Sequence, residues 1–116
     1  MPRFVVLEHD HPTLHWDLML ESSGILQTWR LAKPPESEST IEATLLGDHR
    51  LTYLNYEGPV SSNRGNVRRW DAGTFTDEPD SSPAVRRLVV AGARLRGRVR
   101  LEKVDLDTWF FVWLAT

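Results

Sequence analysis

The sequence contains no cysteine among its 116 residues. That absence excludes disulfide bonds, thiolate metal sites and a cysteine nucleophile. The chain also lacks a run of about 18 apolar residues that would span a bilayer, and its first apolar run is too short for a signal peptide. We therefore expect a cytoplasmic protein in which any bound metal is held by histidine and carboxylate side chains.

Helical periodicity is also scarce. Short alternating stretches, separated by turn residues about every 8 to 12 positions, indicate roughly seven to nine strands. Because a chain of 116 residues can bury one core, we predict a single domain over residues 1–116, an all-β barrel or sandwich, and we expect a monomer. In detail, we predict a strand over residues 50–56, a turn at residues 71–73 and a strand over residues 87–91.

The strongest chemical pattern begins at Leu14, from which an apolar residue recurs at every second position through Leu20. His15 and Asp17 then share one face of a strand, about 6.5 to 7 Å apart. An imidazole and a carboxylate suit a borderline divalent cation, and His9, just upstream, is a candidate third ligand. The alternative is that these polar residues simply occupy the solvent face of an amphipathic strand.

A second polar pair, His49 and Tyr53, lies four residues apart. On a strand this even spacing returns both side chains to one face, so we predict that they act together. The alternative is a strand histidine that hydrogen-bonds to the backbone.

Positive charge is unevenly distributed, although the net charge is only −2. Residues 64–103 carry ten lysines and arginines against five acids, and nine of the ten are arginine. Because the planar guanidinium suits phosphate, a phosphate-bearing partner fits this half of the chain. A solvated strand face is the alternative reading. The clearest stripe is formed by Arg94, Arg96, Arg98 and Arg100.

Taken in order, these motifs resemble the 3′-phosphoesterase domain of bacterial DNA ligase D. That family opens with a strand ending in His, followed by L-H-x-D-x-R-L-E, S-W-x-x-x-K, D-H-x-L-x-Y, W-D-x-G and L-x-G-x-x-L-x-G. The corresponding segments here are residues 4–9, 14–21, 28–33, 48–58, 70–75 and 90–97. The resemblance implies a small β-barrel with a polar, metal-binding interior.

The resemblance also implies roles for individual residues. His9, His15 and Asp17 match the family's ligands for a divalent metal, with manganese expected and zinc as an alternative. His49 and Tyr53 match the residues that contact the scissile phosphate. The implied reaction is metal-dependent removal of a terminal ribonucleoside and then a 3′-phosphate from DNA or RNA ends during repair. The implied partners are nucleic-acid 3′ ends and DNA ligase or end-joining repair proteins.

Two family arginines are missing, because Met19 and Ile41 stand at their positions. Losing one preorganised donor typically costs on the order of 10² to 10³ in rate. Arg50, Arg64 or Arg69 are candidate replacements for contacting nucleic acid.

Two other functions remain open at this stage. A catalytically weak or inactive metal-binding barrel would bind nucleic-acid ends or a repair partner. A non-haem iron oxygenase also uses H-x-D with a distal histidine, which here would be His49, but the chain is short for that fold.

Overall fold

Nine antiparallel strands and one short 3-10 helix make up the regular structure in the computed structural model, which describes residues 1–116. The 3-10 helix spans Leu51–Leu54. The strands are β1 (Arg3–His9), β2 (His15–Ser22), β3 (Ile25–Leu31), β4 (Thr40–Leu45), β5 (Gly58–Pro59), β6 (Asn66–Asp77), β7 (Val85–Gly92), β8 (Arg96–Lys103) and β9 (Thr108–Ala115).

The strands close into a barrel. Their order is β1-β2-β3-β4-β9-β8-β7-β6, and an additional pairing between β1 and β6 joins the two ends, while the two-residue β5 pairs only with β6. Closure of a sheet removes its unpaired edges. The predicted all-β barrel is therefore confirmed.

No helix in the structure has the length and apolar character needed to cross a membrane.

The interior of the barrel is lined by apolar side chains apart from the carboxylate of Asp71. On β2 the side chains of Leu18 and Leu20 face inward, so the odd-numbered His15 and Asp17 face outward. The candidate ligands therefore lie on the outer face of the wall and not in the polar interior that the resemblance implied. The interior cluster consists of Phe4, Val6, Leu18, Leu20, Trp29, Leu31, Ile41, Ala43, Phe75, Leu88, Val90, Leu95, Val99, Leu101, Trp109, Phe111 and Trp113.

A second, smaller apolar cluster covers the outer face of β1, β2 and β3, and we call it the outer cluster. Leu54 of the 3-10 helix packs there against strand residues, so both faces of β1 and β2 are buried. A strand buried on both faces reads as a continuous apolar run, as in residues 4–7. The members of the outer cluster are Val5, Leu7, Met19, Leu26, Leu54 and Val67.

The predicted strand over residues 50–56 is wrong, because Leu51–Leu54 forms the 3-10 helix. The backbone N–H of Tyr53 donates to Arg50 O at 3.1 Å, and that of Asn55 donates to Thr52 O at 3.1 Å. These i to i−3 bonds are local, and no neighbouring strand pairs with the segment. Burial of Leu54 in the outer cluster holds the turn against the barrel.

The predicted turn at residues 71–73 is also wrong, because β6 runs through it. A register shift opposite Val6 and Leu7 bends β6 there. The Asp71 carboxylate faces inward and accepts backbone hydrogen bonds from Ala93, Arg94 and Leu95, at 3.1, 2.9 and 2.7 Å. Asp71 thus stabilises the turn between β7 and β8. The strand predicted over residues 87–91 is confirmed within β7.

Candidate metal centre

Three of the predicted site residues converge at one end of the β1–β2 hairpin. His9 ends β1 and His15 begins β2, directly opposite in the register, and Asp17 lies opposite Leu7. One ligand atom from each of the three side chains lies within 4.8 Å of the other two. His15 and Asp17 are buried, and His9 is partly buried. The hairpin geometry therefore brings these residues together, while metal binding itself stays a prediction.

Backbone carbonyls fix the orientation of both imidazole rings. His9 Nε2 lies 2.8 Å from Arg64 O, and His15 Nδ1 lies 2.8 Å from Thr13 O. Because a carbonyl oxygen only accepts, the N–H of each ring is at that nitrogen. The other ring nitrogens, His9 Nδ1 and His15 Nε2, face Asp17 Oδ2 at 3.7 and 3.3 Å.

This arrangement fits a bound cation. In neutral rings, His9 Nδ1 and His15 Nε2 carry lone pairs that point at the Asp17 carboxylate oxygen. Only protons or a metal ion relieve the repulsion between these lone pairs and the carboxylate. Asp17 Oδ1 is buried without a hydrogen-bond partner, which is uncommon for a buried carboxylate. Two ligands bonded at about 2.1 Å to one tetrahedral ion lie about 3.4 Å apart, close to the observed separations. The imidazole-to-carbonyl bonds are those that orient metal-binding histidines.

The loop that supplies the Arg64 carbonyl is anchored tightly. Asp10 Oδ1 accepts a hydrogen bond from Asn66 N at 2.7 Å. Gly65 has a φ of 74°, and a Cβ there would lie 2.2 Å from Asp10 Oδ1. Only glycine fits this close approach. The Arg64 guanidinium donates to Ser61 O at 2.8 Å and Ser61 Oγ at 3.1 Å, so the residue serves the centre through its carbonyl.

His49 and Tyr53 also come together, but not on a strand. The backbone of His49 exchanges hydrogen bonds with Leu26, at 2.8 and 2.9 Å, and its ring lies 5.8 Å from that of Tyr53 between centroids. His49 Nδ1 lies 2.9 Å from Gly47 O. Its Nε2 is therefore free to meet a ligand. Tyr53 packs on the outer cluster, which places the pair on the same outer face as Asp17.

The other two predicted nucleic-acid contacts differ in their surroundings. Arg69 donates to Leu54 O at 3.1 Å, and its backbone N–H donates to Glu57 Oε2 at 3.0 Å. It therefore stabilises the end of the 3-10 helix. Arg50 is exposed beside His49 and makes no side-chain hydrogen bond or ion pair within 4.0 Å. Their contact with nucleic acid stays a prediction.

The positions of the two missing arginines are both buried. Met19 is 2% exposed in the outer cluster, on the face of Asp17 as predicted, whereas Ile41 is 3% exposed in the barrel interior. An arginine side chain at position 41 would point away from the candidate centre. Only Met19 therefore bears on the chemistry of this face.

Sequence reasoning missed Arg30. In the register of β2 and β3 it lies directly opposite Asp17 and so on the outer face. The turn between β2 and β3 could have identified Arg30 from the sequence. A two-residue turn at Ser23 and Gly24 pairs Ser22 with Ile25, and this register places Arg30 opposite Asp17.

The fold and the centre together define a small closed β-barrel with a two-histidine, one-carboxylate cluster on its outer face. Residues 7–103 match the family model described as the DNA Ligase D 3′-phosphoesterase domain. The chain belongs to this family.

Relatives among characterised proteins agree with this assignment. The chain is 30% identical over 123 residues to the multifunctional non-homologous end joining protein LigD of Pseudomonas aeruginosa, covering 95% of this chain and 15% of that protein. It is 32% identical over 116 residues to the LigD protein of Mycobacterium bovis, covering 91% of this chain and 15% of that protein. The chain thus spans about 15% of the length of these relatives.

Proposed function

We propose that this protein is a metal-dependent phosphoesterase that removes 3′-terminal ribonucleosides and 3′-phosphates from DNA or RNA ends in end-joining repair. The observation that carries the proposal is the convergence of His9 Nδ1, His15 Nε2 and Asp17 Oδ2 around one point. Family membership and relatives named as end-joining proteins support the substrate class.

His9, His15 and Asp17 would hold the ion, for which we propose manganese, with zinc as the alternative. A divalent cation polarises a phosphoryl oxygen and lowers the pKa of bound water, which supplies a nucleophile at neutral pH. Three protein ligands leave room for substrate. The carbonyls of Thr13 and Arg64 orient the two rings, so that their ligand nitrogens point toward Asp17.

We propose that His49 and Tyr53 act on the phosphate, which their position on the outer face supports. When protonated, His49 Nε2 can donate to a phosphate oxygen or give its proton to the leaving oxygen as the P–O bond breaks. That leaving atom is the 5′-oxygen of a departing ribonucleoside in the first step and the 3′-oxygen of the chain when the 3′-phosphate is removed. The Tyr53 hydroxyl can donate one hydrogen bond to the developing charge. The two rings lie 5.8 Å apart between centroids, so one phosphate can meet both.

A weak or inactive metal-binding barrel that binds nucleic-acid ends is the second candidate. The observation that favours it is Met19, which replaces the family arginine and is buried in the outer cluster. The iron-oxygenase alternative required His49 as the distal ligand. The cluster of three instead contains His9, and His49 lies outside it.

The test is release of phosphate from an oligonucleotide with a 3′-phosphate, with manganese, with zinc and with a chelator. We expect metal-dependent release by the parent and none by His15→Ala. His11→Ala is the matched control, because His11 lies in the same hairpin loop but outside the cluster. Metal-independent release, or equal release by His15→Ala, contradicts the proposal. Metal binding without release selects the inactive barrel.

A further inference from the structure

We infer that the cleft beside His15 is a phosphate-binding subsite whose cation is Arg30; this deepens the proposed function and rests on it. The cleft is open, has a volume of about 250 Å³ and lies on the outer face of the barrel. Its polar side chains include His15, Arg30, Glu42 and Thr44. A candidate metal ligand and a guanidinium therefore line the same space.

The strand register fixes the position of Arg30. It lies opposite Asp17 on β2 and opposite Thr44 on β4. Directly opposed residues have Cβ atoms about 4.5 to 5.5 Å apart and share a face. Arg30 therefore flanks the candidate centre from the side opposite β1, which provides His9.

The Arg30 guanidinium has no protein partner although carboxylates are near. It makes no ion pair within 4.0 Å with Asp17 or Glu42, whereas Arg86 and Arg87 lie 3.1 and 3.4 Å from carboxylate oxygens. Arg30 Nε is also buried without a hydrogen-bond partner. A buried donor left unpaired is costly. The terminal N–H groups of the guanidinium also have no protein partner, and an anion in the cleft would pair with them.

The chemistry of the site selects phosphate as that anion. A guanidinium presents parallel N–H donors that match two oxygens of a phosphate. A phosphate held by Arg30 would also lie beside His15 and thus next to the candidate metal. Arg30 would then supply the guanidinium that the family motif carries at the position of Met19, but from β3 instead of β2.

Glu42 should affect phosphate affinity in the direction opposite to Arg30. It is an exposed carboxylate on β4 that lines the same cleft. A carboxylate near a bound phosphate repels it. Removing its charge should therefore strengthen phosphate binding, while removing the charge of Arg30 should weaken it.

The test is equilibrium binding of inorganic phosphate, which cannot be hydrolysed, to the manganese-loaded and metal-free protein by ³¹P NMR and calorimetry. We expect Arg30→Ala to lower phosphate affinity on the order of tenfold to a hundredfold. Arg30→Lys should restore part of it, and Glu42→Gln should raise affinity severalfold. Manganese affinity should be unchanged or higher in Arg30→Ala. Arg3→Ala is the matched control, since Arg3 is exposed at the start of β1, at the opposite end of that strand from His9.

Equal phosphate affinity in Arg30→Ala and Arg3→Ala overturns the subsite. If Arg30→Ala does not fold, an unchanged affinity in Glu42→Gln overturns it. The failure of the proposed function is distinguishable. If the parent binds phosphate through Arg30 but releases none from a 3′-phosphate, the subsite is supported and the proposed enzyme activity is contradicted. If the parent hydrolyses the 3′-phosphate and Arg30→Ala does so at the same rate, the enzyme activity is supported and the subsite is contradicted.

Discussion

Two carboxylates are buried in this barrel, and they differ in how their oxygens are satisfied. Asp71, 5% exposed, accepts three backbone hydrogen bonds from the turn after β7. Asp17, 3% exposed, has one oxygen without a partner and the other facing two imidazole nitrogens. A satisfied buried carboxylate stabilises a fold, whereas an unsatisfied one indicates a ligand. The comparison therefore predicts that Asp71 acts on stability and that Asp17 acts on metal binding.

The arginines divide in the same way. Most of those in the basic half have intramolecular partners: Arg94 stacks over Trp70 at 3.8 Å, Arg86 bonds Asp77 at 3.1 Å, and Arg98 lies 3.9 Å from Glu78. Residues 1–63, which carry four lysines and arginines against nine acids, contain the unpaired Arg30 beside Asp17. Charge density along the sequence does not identify Arg30, because the pairing of an arginine depends on its tertiary neighbours.

The largest expected effect is that of Asp17→Ala. Removing one of three ligands should lower manganese affinity by at least about a hundredfold and metal-dependent hydrolysis by on the order of 10³ or more. The metal-free variant should be as stable as the parent or more stable, because an unsatisfied buried charge has been removed. Calorimetry with manganese and urea denaturation measure the two properties. A metal-free variant several kcal/mol less stable than the parent would make Asp17 a structural residue like Asp71.

We expect Met19→Arg to destabilise the protein and not to increase its activity. Met19 is buried in the outer cluster, so a guanidinium there has no room and no carboxylate within the cluster. An uncompensated buried charge costs about 3 to 5 kcal/mol. Urea denaturation of the metal-free protein measures this loss, and Met19→Leu, which conserves volume, should lose less than about 1.5 kcal/mol. A stable Met19→Arg variant with higher activity would contradict this and restore the missing guanidinium as the limit on catalysis.

Asp71→Ala should affect only stability. It leaves the N–H groups of residues 93–95 without their acceptor, and we expect a loss of about 2 to 4 kcal/mol in the free energy of unfolding. Manganese affinity of the folded variant should match that of the parent, because Asp71 faces the interior while the cluster lies on the outer face. Thr76→Ala, exposed on the same strand and without a side-chain hydrogen bond, is the control. A shared loss of metal affinity would mean that the two carboxylates are coupled.

Much of the fold and of the candidate metal centre could be predicted from the sequence. The recurrence of an apolar residue at every second position from Leu14 placed His15 and Asp17 on one face, and the hairpin brought His9 to them. The predictions that proved wrong concern features that depend on tertiary contacts. Alternation alone does not say which face of a barrel wall is inside, and here the apolar run of residues 4–7 is buried on both faces. The segment that carries Tyr53 alternates like a strand, yet no neighbouring strand pairs with it.

The smallest expected effect concerns the loop that orients His9. Gly65 and Gly24 both have positive φ, of 74° and 87°, but only at Gly65 would a Cβ meet protein atoms, 2.2 Å from Asp10 Oδ1. Gly65→Ala must displace Asp10 or the neighbouring Arg64 carbonyl that holds the His9 ring. Loss of such an orienting bond costs about 10- to 100-fold in metal affinity, and we expect the lower end. Gly24→Ala carries backbone strain alone, in open space, so it should lower stability by about 1 kcal/mol and leave manganese affinity unchanged. Calorimetry on both variants decides the matter: if they bind manganese equally well, the Arg64 carbonyl does not set the geometry of the centre, and the outer face is preorganised by the hairpin alone.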